Sequence, residues 1–297
     1  MTTKRIGWVG TGVMGACMGG HLLSAGYRMT VFNRSREKAQ GLLEKGAQWA
    51  DSPELVARSS DIVFTMVGFP EDVRDVILGD NGVLTGIAAG ATVVDMTTSS
   101  PDLAQRIHGE CADRKVAALD APVSGGDIGA RDATLAIMVG GDRAAFEEVE
   151  PLFSILGQTI SLMGGPGSGQ HTKMTNQILV AGTMIGVVES LLYAQRAGLD
   201  AHHVIDVIGK GAASSWSINT LGPRIADGNF SPGFYIKHFV KDMGIALEEA
   251  RRARMALPGL ALVHQLYISA MAMGWENLGT QGLYQVLAAM NRNAGDP

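Results

Sequence analysis

The sequence predicts an α/β domain with a mostly parallel sheet at the N-terminus, a long connecting helix, and an all-helical C-terminal domain. Three observations predict it. Short apolar runs alternate with amphipathic stretches over the first half of the chain, at the spacing of βαβ units. After Gly164-Gly165-Pro166-Gly167-Ser168-Gly169 the alternation stops and the pattern becomes helical. Glycine is in excess, 39 of 297 residues, against an average of about 7%, and it lacks the every-third-residue period of collagen. Such glycines mark turns and places where backbone approaches a ligand or another backbone. The domains therefore divide as 1–165 and 166–297.

The strands fall at Arg5–Val9, Met29–Phe32, Ile62–Val67, Thr92–Asp95, Ala117–Asp120, Leu135–Val139 and, last, near Thr159–Leu162. These are short runs rich in apolar residues, as strands covered on both faces require. Between them, Arg36–Lys45, Pro53–Arg58, Pro70–Leu78 and Asp102–Arg114 carry apolar residues at helical spacing. A long helix runs from about Gln170 to Ala197 and stops at Gly198, the residue type that ends helices. Further helices follow at Ala201–Gly209, Ser215–Ala226, Lys237–Arg254, Pro258–Met273 and Thr280–Asn291. Glycines inside helices, among them Gly19, Gly20, Gly182 and Gly186, point to close helix packing.

Composition excludes several classes. At 46% hydrophobic and 18% charged the chain is not disordered. Lys+Arg total 24 against Asp+Glu 29, a net charge of -5, so the basic footprint of a nucleic-acid partner is missing. Cys17 and Cys111 have no metal-ligand or CxxC spacing and read as buried small apolar side chains in a reducing compartment. The seven histidines form no ligand constellation, and no metal is expected. Met1–Thr3 lead into a strand without a signal-peptide pattern. The least polar stretch, Ile178–Val188, is about half the ~20 residues of a bilayer span. The expectation is a soluble cytoplasmic protein with no membrane partner, whose apolar helices serve a homodimer or homotetramer.

The strand Arg5–Val9 ends in Gly10-Thr11-Gly12-Val13-Met14-Gly15. A G-x-G-x-x-G directly after a strand and opening a helix is the fingerprint of a dinucleotide-binding Rossmann domain. Its glycines serve the tight turn, the approach of the pyrophosphate, and helix–strand packing. The helix N-terminus adds free N–H groups and partial positive charge. An NAD-selective site would place Asp or Glu at the end of the next strand, to accept from the ribose hydroxyl. This chain has Asn33-Arg34-Ser35 there; a guanidinium and a hydroxyl suit a 2′-phosphate, so NADP is favoured and NAD remains open.

Three more segments gather small and polar residues at predicted strand ends, the edge that faces the ligand crevice in a parallel sheet. In Asp95-Met96-Thr97-Thr98-Ser99-Ser100-Pro101, helix capping ahead of Pro101 explains Ser99 or Ser100 but not the threonines. In Asp120-Ala121-Pro122-Val123-Ser124-Gly125-Gly126, a hydroxyl and consecutive N–H groups can bind a carboxylate. In the third, Lys173 lies in the first turns of the long helix, with Asn176 and Gln177 one turn on, on the same face. A lysine ordinarily belongs to a solvated surface; here its neighbours Met174, Ile178 and Leu179 form an apolar helix at a domain junction.

Gly10-x-Gly12-x-Met14-Gly15, Asp120-Ala-Pro-Val-Ser-Gly-Gly126, Gly167-x-Gly169-x-x-x-Lys173-x-x-Asn176 and Lys241-Asp242 together resemble the β-hydroxyacid dehydrogenases. The resemblance covers nearly the whole chain. It implies NADP- or NAD-dependent chemistry on a small-molecule substrate, with Lys173 as acid/base and Ser124, Gly125 and Gly126 holding the substrate carboxylate. It places Met66, Val67 and Thr98 beside the cofactor and gives Phe234, Lys241 and Asp242 as the helical domain's contribution. The family's Asn-Asn pair reads Asn176-Gln177 here, which leaves open the amide that meets substrate. The expected activity is NADPH-dependent reduction of a small carboxylate-bearing semialdehyde. An NAD-linked 3-hydroxyisobutyrate-type oxidation is the alternative and a non-catalytic NADP-binding scaffold the distant one.

Overall fold

The computed structural model describes residues 4–291; Met1–Thr3, read above as lacking a targeting pattern, lie outside them. The strands are β1 Arg5–Val9, β2 Arg28–Phe32, β3 Gln48–Trp49, β4 Ile62–Thr65, β5 Thr92–Asp95, β6 Ala117–Asp120, β7 Val123–Ser124, β8 Leu135–Gly141 and β9 Gly157–Gly164. The helices of the first half are α1 Val13–Ser24, α2 Gln40–Leu43, α3 Pro53–Arg58, α4 Pro70–Leu78, α5 Val83–Gly86, α6 Pro101–Ala112, α7 Gly126–Arg131 and α8 Arg143–Leu156. Then come α9 Ser168–Arg196, α10 Ala201–Ile208, α11 Trp216–Thr220, α12 Gly222–Ala226, α13 Ile236–Arg252, α14 Pro258–Ala272 and α15 Leu283–Met290.

The strands form one sheet in the order β3-β2-β1-β4-β5-β6-β8-β7, with β9 paired to β8. From β3 to β6 it is parallel; β8 runs antiparallel to β6 and β7. Alternation along each strand serves both faces. Ile6, Trp8, Ile62, Phe64 and Val94 enter one apolar cluster; Val9, Val63 and Val93 enter the other. The strand order reverses direction between β1 and β4, which makes that point the ligand crevice of the sheet. The two-residue strands β3 and β7 and the helix α8 go beyond the elements singled out in the sequence. α8 contains Pro151, which breaks the usual helix signal.

Compact units divide between Lys173 and Met174, inside α9, rather than at residues 165/166. The first turns of α9 are hydrogen-bonded to the sheet's own Asp120, which draws them into the first unit. The second unit has its own core, including Met184, Val188 and Leu191 of α9 with Phe239, Met243 and Tyr267. By length and composition α9 would suffice to cross a bilayer, which corrects the estimate made from Ile178–Val188 alone. The core helices of soluble domains meet the same test. Two other expectations are corrected. Gly182 and Gly186 have no atom within 4 Å of where a Cβ would stand, so among the described residues nothing packs closely on them. Cys17 is only half-buried, whereas Cys111 is buried and its thiol is pushed up to about 12 by that burial.

Candidate active site

The first unit gathers most of the predicted residues at the C-terminal ends of its parallel strands. β1 runs into the Gly10–Gly15 turn. Gly10 has φ +98°, and a Cβ there would stand 2.2 Å from the Met66 carbonyl oxygen, so the close approach of this loop to the end of β4 requires glycine. At Gly12 a Cβ would meet nothing within 4 Å, and the N-terminus of α1 that it caps has no side-chain partner. The Thr11 hydroxyl is buried with no hydrogen-bond partner. An open backbone at a helix N-terminus, with a buried hydroxyl at hand, fits the pyrophosphate of a dinucleotide.

Asn33, after β2, braces this loop: its Oδ1 accepts the Thr11 N–H at 2.9 Å and its Nδ2 donates to the Ser35 carbonyl at 2.9 Å. The Arg34 side chain is 88% exposed, with only a 3.4 Å approach to Asp72, so it is available to a phosphate. Arg36 lies over the Trp49 ring instead. After β4, Met66 and Val67 are half-buried, and the Val67 N–H donates to the Thr97 hydroxyl at 3.0 Å. Of the two serines before Pro101, Ser100 is the helix cap, accepting the Leu103 N–H. Thr98 is half-buried beside it.

Ser124 ends β7, paired opposite Ala136 of β8, and is half-buried. Gly125 and Gly126 follow with φ of +130° and +63°. Lys173 is 6% exposed, far from the solvated lysine that residue type alone would predict.

Two buried aspartates hold the strand ends. Asp95, the last residue of β5, accepts the Thr65 hydroxyl at 2.7 Å and the Thr97 N–H at 3.1 Å on one oxygen, Oδ1. Burial pushes its carboxyl up to about 6, against the pull of those hydrogen bonds. Asp120, its register partner on β6, is also pushed up by burial, opposed by backbone N–H donors.

In the second unit, Gln177 and Asp242 are both buried, and the Gln177 Nε2 donates to Asp242 Oδ2 at 2.6 Å. The Asn176 Nδ2 donates to the side-chain oxygen Oε1 of Gln177 at 2.7 Å. Lys241 lies 3.0 Å from the other Asp242 oxygen, with side chains 11% and 1% exposed. The predicted residues of this unit are thus joined in one polar chain. Phe234 packs near it, against Phe239 of α13.

Comparison with known proteins decides the family. Residues 5–165 match the family described as the NAD binding domain of 6-phosphogluconate dehydrogenase, and residues 167–287 that described as NAD-binding of NADP-dependent 3-hydroxyisobutyrate dehydrogenase. The chain is 51% identical over 291 residues to the probable 3-hydroxyisobutyrate dehydrogenase-like 1, mitochondrial, of Arabidopsis thaliana, covering 98% of this chain and 87% of that one. It is 40% identical to the 2-hydroxy-3-oxopropionate reductase of Escherichia coli, covering 96% and 98%. The chain belongs to the β-hydroxyacid dehydrogenase family. The crystal structure of 3-hydroxyisobutyrate dehydrogenase from Salmonella typhimurium superposes with a TM-score of 0.88 at 27% identity, covering 95% and 99%.

As a member of that family the protein is an NAD(P)-dependent oxidoreductase acting on a CH–OH group. The family's motifs, read in sequence, leave out two residues that the structure makes central to the first unit, Asp95 and Gln170, and they name Asp120 without giving it a role. The aspartates stand at predicted strand ends, a position where a charged residue in an otherwise apolar run signals a buried role. Gln170 had no such mark beyond its place directly after the Gly-rich turn.

Proposed function

We propose that the protein catalyses NADPH-dependent reduction of a small carboxylate-bearing semialdehyde, of the tartronate, succinic or glyoxylate type, to the hydroxy acid. The observation that carries this reading is the burial of Lys173 on the helix turn anchored to the ligand edge of the sheet. A cation is rarely buried at a ligand edge without a partner, and a lysine ammonium can both stabilise negative charge and give up a proton. The dinucleotide, held by Gly10, Gly12, Val13, Met14 and Gly15 with Asn33, Arg34 and Ser35 at its ribose end, supplies hydride to the aldehyde carbon when bound. As the C=O electron pair moves onto oxygen, the Lys173 ammonium stabilises the developing charge and then gives that oxygen its proton. The Ser124 hydroxyl and the Gly125 and Gly126 N–H groups hold the substrate carboxylate without adding a counter-charge. Of the two amides, Gln177 has both ends of its side chain engaged, by Asn176 and Asp242, whereas Asn176 is seen to donate once, which supports Asn176 as the amide that meets substrate.

The exposed Arg34 and the family description naming an NADP-dependent enzyme support NADP over NAD. The E. coli relative's printed activity, on a three-carbon oxo acid, supports the substrate class. The Arabidopsis relative's name keeps the oxidative, 3-hydroxyisobutyrate-type reaction as the second reading. Lys173 at the family's acid/base position counts against a scaffold without catalysis. The same reading has the protein act as a homodimer or homotetramer in the cytoplasm, with neither nucleic acid nor membrane as partner; its two cysteines are unpaired thiols, as a reducing compartment allows.

The test is a panel of these semialdehydes and their hydroxy acids with NADPH and NADH, scored by kcat/KM. Lys173→Ala is expected to lose about 100-fold or more of kcat while still binding NADPH. Near-normal turnover by that variant, or no reduction of any semialdehyde by the wild type, defeats the proposal.

A further inference from the structure

The start of α9 is held by Asp120, to which the motifs assign no role, and by Gln170, which falls at an unspecified position of the motif. Asp120, at the end of β6, commits both carboxylate oxygens to it: Oδ1 accepts the Gly167 N–H and Oδ2 the Gln170 N–H, each at 2.8 Å. The fit leaves no slack, since a Cβ on Gly169 would stand 2.4 Å from the Met138 carbonyl oxygen and 2.6 Å from that of Asp120. Gln170 itself is 0% exposed. Both ends of its side-chain amide go to the loop after β5: Oε1 accepts the Ser99 N–H at 2.9 Å, and Nε2 donates to the Thr97 carbonyl at 2.8 Å. Thr98 lies between these two anchored residues. On the helix, Gln170 is three residues before Lys173 and therefore on the same face, one turn earlier.

A carboxamide is a side chain that can accept one bond and donate another from the same planar end. A carboxylate of the same length can only accept, and a methionine of the same length does neither. If Gln170 merely filled volume, methionine would serve.

We propose that Gln170 is a positioning residue: it clamps the Thr97–Ser99 loop to the helix turn that presents Lys173, so that the cofactor-side loop and the proton donor are held as one rigid piece. The inference rests on the reading of Lys173 as the acid and Thr98 as the cofactor neighbour. The energetic reason for such a clamp is that reacting groups must be held close to their productive geometry; a misplacement of about 1 Å costs on the order of 100-fold in rate.

The test uses the full-length protein with Gln170→Met and Gln170→Glu, alongside wild type. Three quantities are read: kcat and KM for the best semialdehyde of the panel across pH 5.5–8.5 (~3 pH units), NADPH affinity by fluorescence, and amide hydrogen exchange of the peptide containing Thr97–Ser99. Gln170→Met is expected to lower kcat by about 10- to 100-fold, to weaken NADPH binding several-fold, and to speed exchange in the loop. Gln170→Glu is expected to behave alike at high pH, where a carboxylate would face the Thr97 carbonyl. It should recover relative to wild type as pH falls, because a protonated Glu can again donate to Thr97 while accepting from Ser99. Two buried carboxylates push a Glu here toward its neutral form: Asp120, which accepts this residue's own N–H, and Asp95, which accepts the Thr97 N–H. The Lys173 cation one turn on opposes them, and the comparison with wild type at each pH removes the titration of Asp95 itself. Wild-type-like kcat and loop exchange in Gln170→Met, or a deficit in Gln170→Glu that is the same at every pH, overturns the clamp. Should Gln170→Met fail to fold, the pH dependence of Gln170→Glu decides alone. If the wild type binds NADPH but reduces no semialdehyde, the functional reading falls while exchange and NADPH affinity still decide the clamp.

Discussion

Asp95 and Asp120 stand side by side at the ends of β5 and β6, yet replacing each by asparagine should have opposite effects on stability. Asp95 takes the Thr65 hydroxyl and the Thr97 N–H on one oxygen, Oδ1, and its carboxylate also bonds the Thr97 hydroxyl. An asparagine placed with its carbonyl there keeps those two bonds, can donate its NH2 to a hydroxyl such as that of Thr97, and removes the buried charge. Burial raises the Asp95 carboxyl from the usual 3.8 to about 6. Below the lower value the carboxyl is protonated in both folded and unfolded chains. Between the two values the folded protein keeps a proton that the unfolded chain has released, so stability falls as pH rises through that window. A rise of roughly two pH units at about 1.4 kcal/mol each makes the loss about 3 kcal/mol, an upper figure, complete above pH ~6.

Asp95→Asn is therefore expected to match wild type near pH 4 and to exceed it by about 1–3 kcal/mol at pH 8. Chemical denaturation at a series of pH values measures this, with the first unit's unfolding followed separately where the two units melt apart. Asp120 differs because each of its oxygens accepts a backbone N–H. An asparagine there must turn its NH2 toward one of those donors, which leaves a buried N–H unsatisfied at about 1–3 kcal/mol. Asp120→Asn should destabilise and lower kcat by loosening the start of α9. An Asp95→Asn protein less stable than wild type at pH 8, or a difference independent of pH, would refute the reasoning from hydrogen-bond geometry and burial.

Two substitutions test the dinucleotide end of the site. Gly10→Ala puts a Cβ 2.2 Å from the Met66 carbonyl oxygen at a φ of +98°; it should cost about 1–3 kcal/mol in backbone strain alone and abolish NADPH binding measured by fluorescence titration. Asn33→Asp keeps the acceptor for the Thr11 N–H, loses the donation to the Ser35 carbonyl, and sets a carboxylate at the ribose. The ratio of kcat/KM with NADH to that with NADPH should rise by about 10-fold, the equivalent of ~1.4 kcal/mol; an unchanged ratio would remove Asn33 from cofactor choice.

What could be read from the sequence, and what could not, follows from how each signal is encoded. The Gly10–Gly15 turn was legible because a tight turn, an open backbone and a helix start all demand glycine within six consecutive residues, and Gly10 and Gly12 take the conformation and the space that reading requires. The cap at Ser100 was legible down to a choice of two, because Pro101 marks the first helical position beside it. The burial of Lys173 was legible only through its neighbours, since a lysine by itself argues for solvent. The bonds from Gln170 to Thr97 and Ser99 span 73 and 71 residues, and that from Gln177 to Asp242 spans 65. No local pattern carries them. A residue that touches a ligand must stand at an element's end among small neighbours, and that leaves a mark in adjacent positions. A residue that holds another in place needs only a complementary atom brought to it by the fold, and the chain between the two is free to read as anything. The ligand-facing residues are therefore the readable ones. The bonds behind them, Asp120 to the Gln170 N–H in the first unit and Gln177 to Asp242 in the second, become visible once strand order and helix start are known, even where the residues themselves stood in a motif.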